Sequence, residues 1–218
     1  SEIDPFTFFA SFNKGTTDQN RRKIISEVCK ILGLDAPKPV DFSGIPVMFW
    51  SKSWFIRYSY QRNADDVPNL WRVFRLALNP GALQDAEFTL AFDIAAQIKG
   101  VGTMLAQGLF WVRPYTFLSL DSVNRNYLHF EKPKGKLTFD TYRRIMNDVK
   151  REHTESFPEL SYKAWQSKVA PPPAIKPDPA PATSTAPGRH YWKIAPGQNA
   201  FQWDKWREEN KGVLYIVN

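Results

Sequence analysis

Cysteine and histidine are scarce in this chain of 218 residues, with one cysteine and three histidines. The single cysteine, Cys29, cannot form an internal disulfide bond, so a reducing compartment is the simpler expectation. The histidines lack cysteine or carboxylate partners at the spacing of zinc ligands, so we expect neither a metal nor another cofactor. No apolar run approaches the length of a membrane span, and the N-terminus has no secretion signal. A cytoplasmic protein without a membrane partner is therefore expected.

Sequence motifs of common catalytic sites are also missing. No GxxxxGK[ST] segment is present, which excludes nucleotide hydrolysis by a P-loop. The chain has no GxSxG nucleophile elbow and no PD-(D/E)xK-like nuclease constellation. We therefore expect the chain to bind a partner rather than to act as an enzyme on its own.

Basic residues exceed acidic ones, with 29 lysines and arginines against 22 aspartates and glutamates, which gives a net charge of +7. The sequence pI of about 9.4 favours an anionic partner, and nucleic acid is the first candidate. Residues 1–169 carry 23 basic and 18 acidic residues, so most of the excess lies in this part of the chain. The N-terminal part is therefore the predicted DNA-binding region.

The segment APPPAIKPDPAPATSTAPG at 170–188 holds seven of the 17 prolines and almost no large apolar side chain. Such a composition favours an extended, semi-rigid spacer. The chain is therefore predicted to consist of a DNA-binding domain at 1–169, this linker, and a short aromatic segment at 189–218.

Apolar residues in the N-terminal part recur mainly at helical spacing. Thr17 is predicted to cap a helix that Gly33 ends. The same spacing predicts further helices at 65–78, 88–98, 137–149 and 158–165. Residues 44–60 are rich in aromatic and β-branched side chains and predict a hairpin or two short strands. The expected fold is mainly α with a small β element.

The stretch GVGTMLAQGLFWVRPYTFLSLDSVNRNYL at 100–128 supports two interpretations. Gly100 and Gly102 separate two predicted helices, as in a helix-hairpin-helix, where glycines permit a tight turn and free N–H groups meet a phosphate. Asp121 then follows in the order found in base-excision glycosylases, where an aspartate serves chemistry on an extruded base. The alternative is that Asp121 caps the helix that follows it.

Basic residues become frequent after this stretch and predict contact with the DNA backbone. The loop KPKGK at 132–136 suits phosphate contact that does not read the sequence. Arg113, which precedes Pro114, is either a base-reading side chain or the buried partner of a carboxylate. The predicted nucleic-acid-binding residues are Gly100, Gly102, Arg113, Arg125, Lys132, Lys134, Lys136, Arg143 and Arg144.

Two separate regions resemble known families. In the first, DPFTFF at 4–9, NLW at 69–71 and GLFWVRPYTFLSLDSVNR at 108–125 resemble the leader region of McrB-like AAA+ restriction proteins. In the second, HYWKIAPGQNA at 190–200 with the tryptophans that follow it resembles the opening of an EVE domain, which has a PUA-like fold. Together the two regions span most of the chain.

The resemblance implies the DNA-recognition region of a modification-dependent restriction system in phage defence. In McrB-like proteins the N-terminal modules choose the DNA, often by its modification, and a later AAA+ motor and a partner nuclease subunit cut it. EVE-type domains hold an extruded modified base in an aromatic cage, which makes Trp192 and Trp203 candidates for contact with such a base. The chain ends at Asn218, before the rest of a PUA-like barrel and before a motor, so a fragment of a longer protein is expected.

Two other functions are compatible with the sequence. A base-flipping enzyme of the glycosylase type, built on a helix-hairpin-helix, would use Gly100, Gly102 and Asp121. A helical scaffold would bind a partner protein through exposed aromatic residues such as Trp50 and Trp54. Salt dependence separates DNA binding from protein binding, because affinity that rests on phosphate contacts falls steeply with salt.

Overall fold

The computed structural model describes residues 3–49 and 54–169. The predicted linker at 170–188, the predicted PUA-like segment at 189–218 with Trp192 and Trp203, and Trp50 lie outside these ranges. One compact unit extends over Ser1–Pro171. Its described part is mainly helical, as predicted, and contains eight α-helices: α1 Pro5–Ala10, α2 Asp18–Leu32, α3 Asp66–Ala77, α4 Ala86–Gln97, α5 Met104–Val112, α6 Ser122–Tyr127, α7 Phe139–Glu152 and α8 Phe157–Val169.

Several helices begin and end at the residues that the sequence indicates. The Thr17 hydroxyl accepts a hydrogen bond from the Asn20 N–H at 3.3 Å and caps α2. Gly33 ends α2 in the left-handed region, with a φ of 63°. The four further helices predicted from apolar spacing correspond to α3, α4, α7 and α8. These predictions are confirmed. They rest on capping and apolar periodicity, which depend only on residues close together in the chain.

Aromatic side chains of α4 and α7 form the centre of the core. Phe92 and Tyr142 stack with their ring centroids 5.3 Å apart, and Phe88 meets Phe139 edge-on at 5.2 Å. The Tyr142 hydroxyl donates a hydrogen bond to the Leu118 carbonyl at 2.7 Å. Burial raises the pKa of Tyr142 well above its ordinary value, so the phenol stays protonated. This packing fixes the position of α7, which carries two of the predicted DNA-binding residues.

Helix α5 packs against α1 at a glycine. A Cβ atom at position 108 would lie 2.5 Å from Cδ1 of Phe6, so Gly108 permits a closer approach than any other residue. Phe6 is completely buried, and its ring stacks on that of Phe55 at a centroid distance of 5.4 Å. Helix α1 is absent from the predicted helices, although Asp4 caps it and Pro5 occupies its first turn.

The predicted β element at 44–60 is not found in the described part of that segment. Lys14 and Met48 form an isolated parallel bridge, and no longer strand pairing occurs within the described residues. The Phe55 N–H donates to the Thr7 hydroxyl at 3.0 Å rather than to a neighbouring strand. The prediction of a hairpin is therefore wrong for these residues, because their aromatic content serves packing against α1 and α5 instead of strand pairing.

A buried chain of hydrogen bonds joins α6, α8 and the loop after α2. Nδ2 of Asn124 donates to the Ser161 hydroxyl at 3.2 Å, and that hydroxyl donates to the Gly44 carbonyl at 2.7 Å. Gly44 has a φ of 74°, and a Cβ atom there would lie 2.6 Å from the Cα atom of Tyr162. The loop therefore passes directly over the backbone of α8, and the bonds hold α6 on α8.

The apolar side chains of α2 are only partly covered by the rest of the domain. Arg21 is buried, whereas Ile31 and Leu32 at the end of the helix are mostly exposed. The Arg21 guanidinium donates to the Phe12 carbonyl at 2.8 Å and to Oδ1 of Asn13 at 2.7 Å. Burial lowers the pKa of Arg21 to about 10, so the side chain remains charged at neutral pH. These bonds tie α2 to the loop that follows α1.

Residues 3–49 and 54–169 contain neither a membrane-spanning helix nor a cluster of metal-binding side chains. None of their helices is both long enough and apolar enough to cross a membrane. No group of three or more histidine, cysteine, aspartate or glutamate side chains within them could hold a metal ion. Cys29 is a free, half-buried thiol.

Candidate nucleic-acid interface

Basic side chains from three consecutive elements line a groove and a recess beside it. The groove lies between α7 and the loop that precedes it, and its volume is about 530 Å³. Lys132 and Lys134 line it from the loop, and Arg144 lines it from α7. An adjoining recess of about 500 Å³ shares Lys132 with the groove and is also lined by Arg125 from α6. We call the surface formed by these four residues the basic groove.

The charge of this region is positive but mixed. Residues 122–153 contain eight basic and four acidic residues, a net charge of +4. Three acidic side chains also line the groove: Glu131, Asp148 and Glu152. Lys134 and Glu131 lie 4.0 Å apart with both side chains almost fully exposed, and such a pair contributes little to stability. Asp148 is paired with Arg151 on α7, which neutralises part of the acidic charge.

Arg143 and Arg144 are neighbours on α7 but have different surroundings. Arg143 forms an ion pair with Asp140 at 2.7 Å, and its guanidinium lies 5.6 Å from the centre of the Phe139 ring. Arg144 lines the basic groove and forms no ion pair with another described residue. Only one of these two predicted DNA-binding residues therefore lies at the groove.

The loop between α6 and α7 is held at both ends. His129 follows the end of α6 with a φ of 55°, in the left-handed position at which many helices end. His129 was not among the predicted site residues, yet it lines both the groove and the recess. At the other end, Leu137 accepts a hydrogen bond from Nε2 of Gln97 at 3.0 Å. Lys136, beside Leu137, is exposed but does not line the groove.

Gly100 and Gly102 form the predicted turn between α4 and α5, but they do not line the basic groove. Their φ angles are 102° and 47°, values that favour glycine. The first two N–H groups of α5 donate to carbonyls within the turn, at 2.9 and 3.2 Å, and are therefore engaged. The turn lies instead beside Phe55: a Cβ atom at position 100 would be 3.7 Å from the Phe55 carbonyl oxygen.

Arg113 ends α5 and bonds to the end of α3. Its Nη1 donates to the carbonyls of Ala77 at 3.1 Å and of Asn79 at 2.5 Å. A cation is favourable at that position because the carbonyl end of a helix carries partial negative charge. The structure thus gives Arg113 two backbone carbonyl partners, where a carboxylate was the structural partner expected, and Arg113 does not line the basic groove.

Four donors engage the carboxylate of Asp121. Oδ1 accepts from the N–H groups of Val123 at 2.8 Å and of Asn124 at 3.3 Å. Oδ2 accepts from the Ser119 hydroxyl at 2.8 Å and from Nδ2 of Asn124 at 2.6 Å. This is the capping role, and it is the arrangement expected of a residue that holds α6 in place.

We expect Asp121→Asn to lower stability by about 1–2 kcal/mol, because an amide NH₂ would replace the oxygen that now faces two donors. Asp85→Asn is the matched control, since Asp85 caps α4 through one bond to the Glu87 N–H, which asparagine can retain. Its expected loss is below about 0.5 kcal/mol. Urea unfolding followed by circular dichroism measures both. A stable Asp121→Asn protein that loses a base-release activity of the wild type would instead support the glycosylase alternative.

A family model described as a domain of unknown function (DUF8425) matches residues 1–167, a range that contains all eight helices except the last two residues of α8. No curated protein and no solved structure matches the chain. The match thus delimits the same helical domain that carries the basic groove.

Proposed function

The chain belongs to the DUF8425 family, and we propose that its helical domain is a non-catalytic DNA-recognition module that holds duplex DNA against the basic groove. The observation that carries the proposal is the meeting of Arg125, Lys132, Lys134 and Arg144 at one surface. These residues are not adjacent in the sequence. They come from α6, α7 and the loop between them, and the fold brings their side chains to one surface. Side chains of this kind contact phosphates without reading the bases.

The acidic residues of the groove give the proposed contact a direction. Glu131, Asp148 and Glu152 line the same groove and would repel a phosphate that approached them. The DNA backbone would therefore contact Arg125, Lys132 and the other basic side chains and would avoid the acidic ones. Repulsion of this kind restricts the orientation and the register of the bound DNA, and it does not raise the affinity.

The turn at Gly100 and Gly102 has a smaller role in this proposal. With α4 and α5 it would form a helix-hairpin-helix that lets the DNA backbone approach closely. Because the first N–H groups of α5 are already engaged, the turn would contribute space for the backbone rather than strong hydrogen bonds. The basic groove would supply most of the affinity.

We further propose that the module serves an McrB-like modification-dependent restriction system. The support is the resemblance of the segments at 4–9, 69–71 and 108–125 to the leader region of such proteins. In that setting a PUA-like segment with Trp192 and Trp203 would contact the modified base, and a partner nuclease would cut the DNA. Cells that carry the gene should restrict a phage with modified DNA, and cells that carry an Arg144→Gln gene should restrict it less. Equal plating of modified and unmodified phage would contradict this assignment.

The duplex-binding proposal is tested by the neighbouring arginines of α7. Arg144→Gln should lower the slope of log affinity against log salt by about one, which corresponds to roughly tenfold weaker binding at 0.1 M salt. Arg143→Gln removes the same charge from a side chain that is paired with Asp140, so its slope should change by less than about 0.3. Fluorescence anisotropy with a labelled duplex, titrated at several salt concentrations, measures both slopes.

Two results would contradict the proposal. One is a wild-type protein that does not bind duplex DNA at low salt. The other is an equal loss of slope in both variants, since that would show a general effect of net charge and not a contact in the groove. Circular dichroism of each variant confirms that the fold is retained.

A further inference from the structure

Three aromatic side chains are exposed in one short segment that does not belong to the basic groove. Trp54, Tyr58 and Tyr60 have 59%, 67% and 80% of their surface exposed. The rings of Tyr58 and Tyr60 lie parallel, with an interplanar angle of 5° and centroids 5.8 Å apart. We call the stacked pair of Tyr58 and Tyr60 the aromatic platform. Large aromatic side chains that cluster in solvent are typical of a binding surface.

The platform is exposed because its buried neighbours hold the backbone beneath it. Phe55 and Ile56 are buried, and the Phe55 N–H donates to the Thr7 hydroxyl. The residues that follow form a 3₁₀ turn at Ser59–Gln61. Nε of Arg62 donates back to the carbonyl of Arg57 across this turn. The segment is thus anchored to α1 at one end and closed on itself at the other.

The glycine turn between α4 and α5 lies beside this segment. A Cβ atom at Gly100 would be 3.7 Å from the Phe55 carbonyl oxygen, and Lys99 and Gly100 are both exposed. Neither residues 54–64 nor residues 95–104 contain an aspartate or a glutamate, whereas together they contain three basic residues, Arg57, Arg62 and Lys99. Asp65 and Asp66 follow directly, so residues 54–66 and 95–104 together carry a net charge of +1, and the cations nearest in sequence to the platform are Arg57 and Arg62.

We propose that the aromatic platform binds single-stranded DNA by stacking on unpaired bases. Aromatic rings stack on the faces of bases of any sequence, and nearby cations contact the phosphates between them. In a duplex those faces are covered by neighbouring base pairs, so the platform has access only to unpaired nucleotides. The proposal shares with the proposed function the premise that the partner is DNA, but it uses different residues and a different form of DNA.

The test measures binding of the full chain to a fluorescein-labelled oligothymidylate of about 15 nucleotides, the upper range of such sites. A salt concentration of about 0.3 M weakens contacts that depend on charge alone. The double variant Tyr58→Ala, Tyr60→Ala should bind at least about tenfold more weakly than the wild type. The double variant Tyr58→Phe, Tyr60→Phe should bind within about twofold of it, because the rings that stack are retained.

Tyr115→Ala is the control for loss of an exposed tyrosine elsewhere. Tyr115 is 76% exposed and lies between α5 and α6, so its replacement should leave the affinity for the oligonucleotide unchanged. Absence of oligonucleotide binding by the wild type would overturn the inference. So would an unchanged affinity of the alanine double variant, or an equal loss in the phenylalanine double variant.

The two proposals fail separately. Arg144→Gln reports on duplex binding at the basic groove, and the tyrosine variants report on single-stranded binding at the platform. If the wild type binds the oligonucleotide through the tyrosines but binds no duplex, the platform stands and the duplex-binding function falls. If the duplex slope depends on Arg144 while the oligonucleotide is not bound, the reverse holds.

Discussion

Gly44→Ala is expected to destabilise the domain by about 2–5 kcal/mol. The φ of 74° at this position costs an alanine roughly 1–2 kcal/mol. The added Cβ atom would also lie 2.6 Å from Cα and 2.9 Å from N of Tyr162. These are backbone atoms of α8, so no rotamer change relieves the overlap, and overpacking of this kind costs about 1–3 kcal/mol more.

Gly33→Ala is the matched control for the backbone conformation alone. Gly33 has a φ of 63°, and a Cβ atom there would meet no atom within 4 Å. Its expected cost is therefore about 1 kcal/mol, without the packing part. Urea unfolding of both variants measures the difference. Equal losses would show that the loop moves away from α8 at little cost, contrary to the expectation.

The second large effect is expected for Gly108→Ala, with a loss of about 2–3 kcal/mol. The new Cβ atom would lie 2.5 Å from Cδ1 of Phe6 and 3.1 Å from Cζ of Phe55. Both rings are completely buried, and Phe6 also meets Phe74 edge-on at 6.1 Å, so neither ring can move without disturbing others. Overlap therefore outweighs the gain of up to about 1 kcal/mol that alanine brings to a helix.

Gly81→Ala provides the comparison for Gly108→Ala. Gly81 has a φ of −88°, and a Cβ atom there would have open space around it. We expect stability within about 0.5 kcal/mol of the wild type, or slightly higher, because alanine restricts the unfolded chain. Thermal unfolding of the two variants separates them by several degrees. A Gly108→Ala protein as stable as the wild type would mean that α5 can shift away from α1.

The helix boundaries could be predicted because they depend on residues close together in the chain. Thr17 and Gly33 bracket α2, and Asp121 caps α6, through bonds that span at most five residues. The same reasoning should have found α1, since Asp4 and Pro5 form an ordinary helix start. With only six residues, however, α1 shows no apolar period that would draw attention to it.

The candidate site could be predicted only in part, because it depends on which way each side chain faces. The basic residues after Asp121 were identified, but their sequence does not show that Arg144 lines the groove while Arg143 pairs with Asp140. Arg113 likewise finds its partners at Ala77 and Asn79, more than thirty residues earlier. Such contacts are set by tertiary packing, which no local pattern records.

Dependence on tertiary packing also explains why strands were wrongly predicted in the described residues of 44–60. Aromatic and β-branched residues favour strands only when a partner strand is available to pair with them. In the described residues of this segment, Phe55 is instead buried against α1 and α5, and Trp54 is exposed to solvent. Composition therefore indicated side chains that can form strong contacts, but it did not show which part of the protein each of them would contact.

The hydrogen bond from Ser161 to Gly44 also bears on the order in which the domain can assemble. It joins residues 117 positions apart, and the bond from Asn124 to Ser161 spans 37. Contacts of such long range form late, because the intervening chain must first lose its freedom. During synthesis, α6 can form its capped turn early, but its hold on the rest of the domain must wait until α8 has emerged from the ribosome. A nascent chain stopped before Ser161 would thus carry Arg125 of the basic groove on an α6 that lacks the bonds to α8.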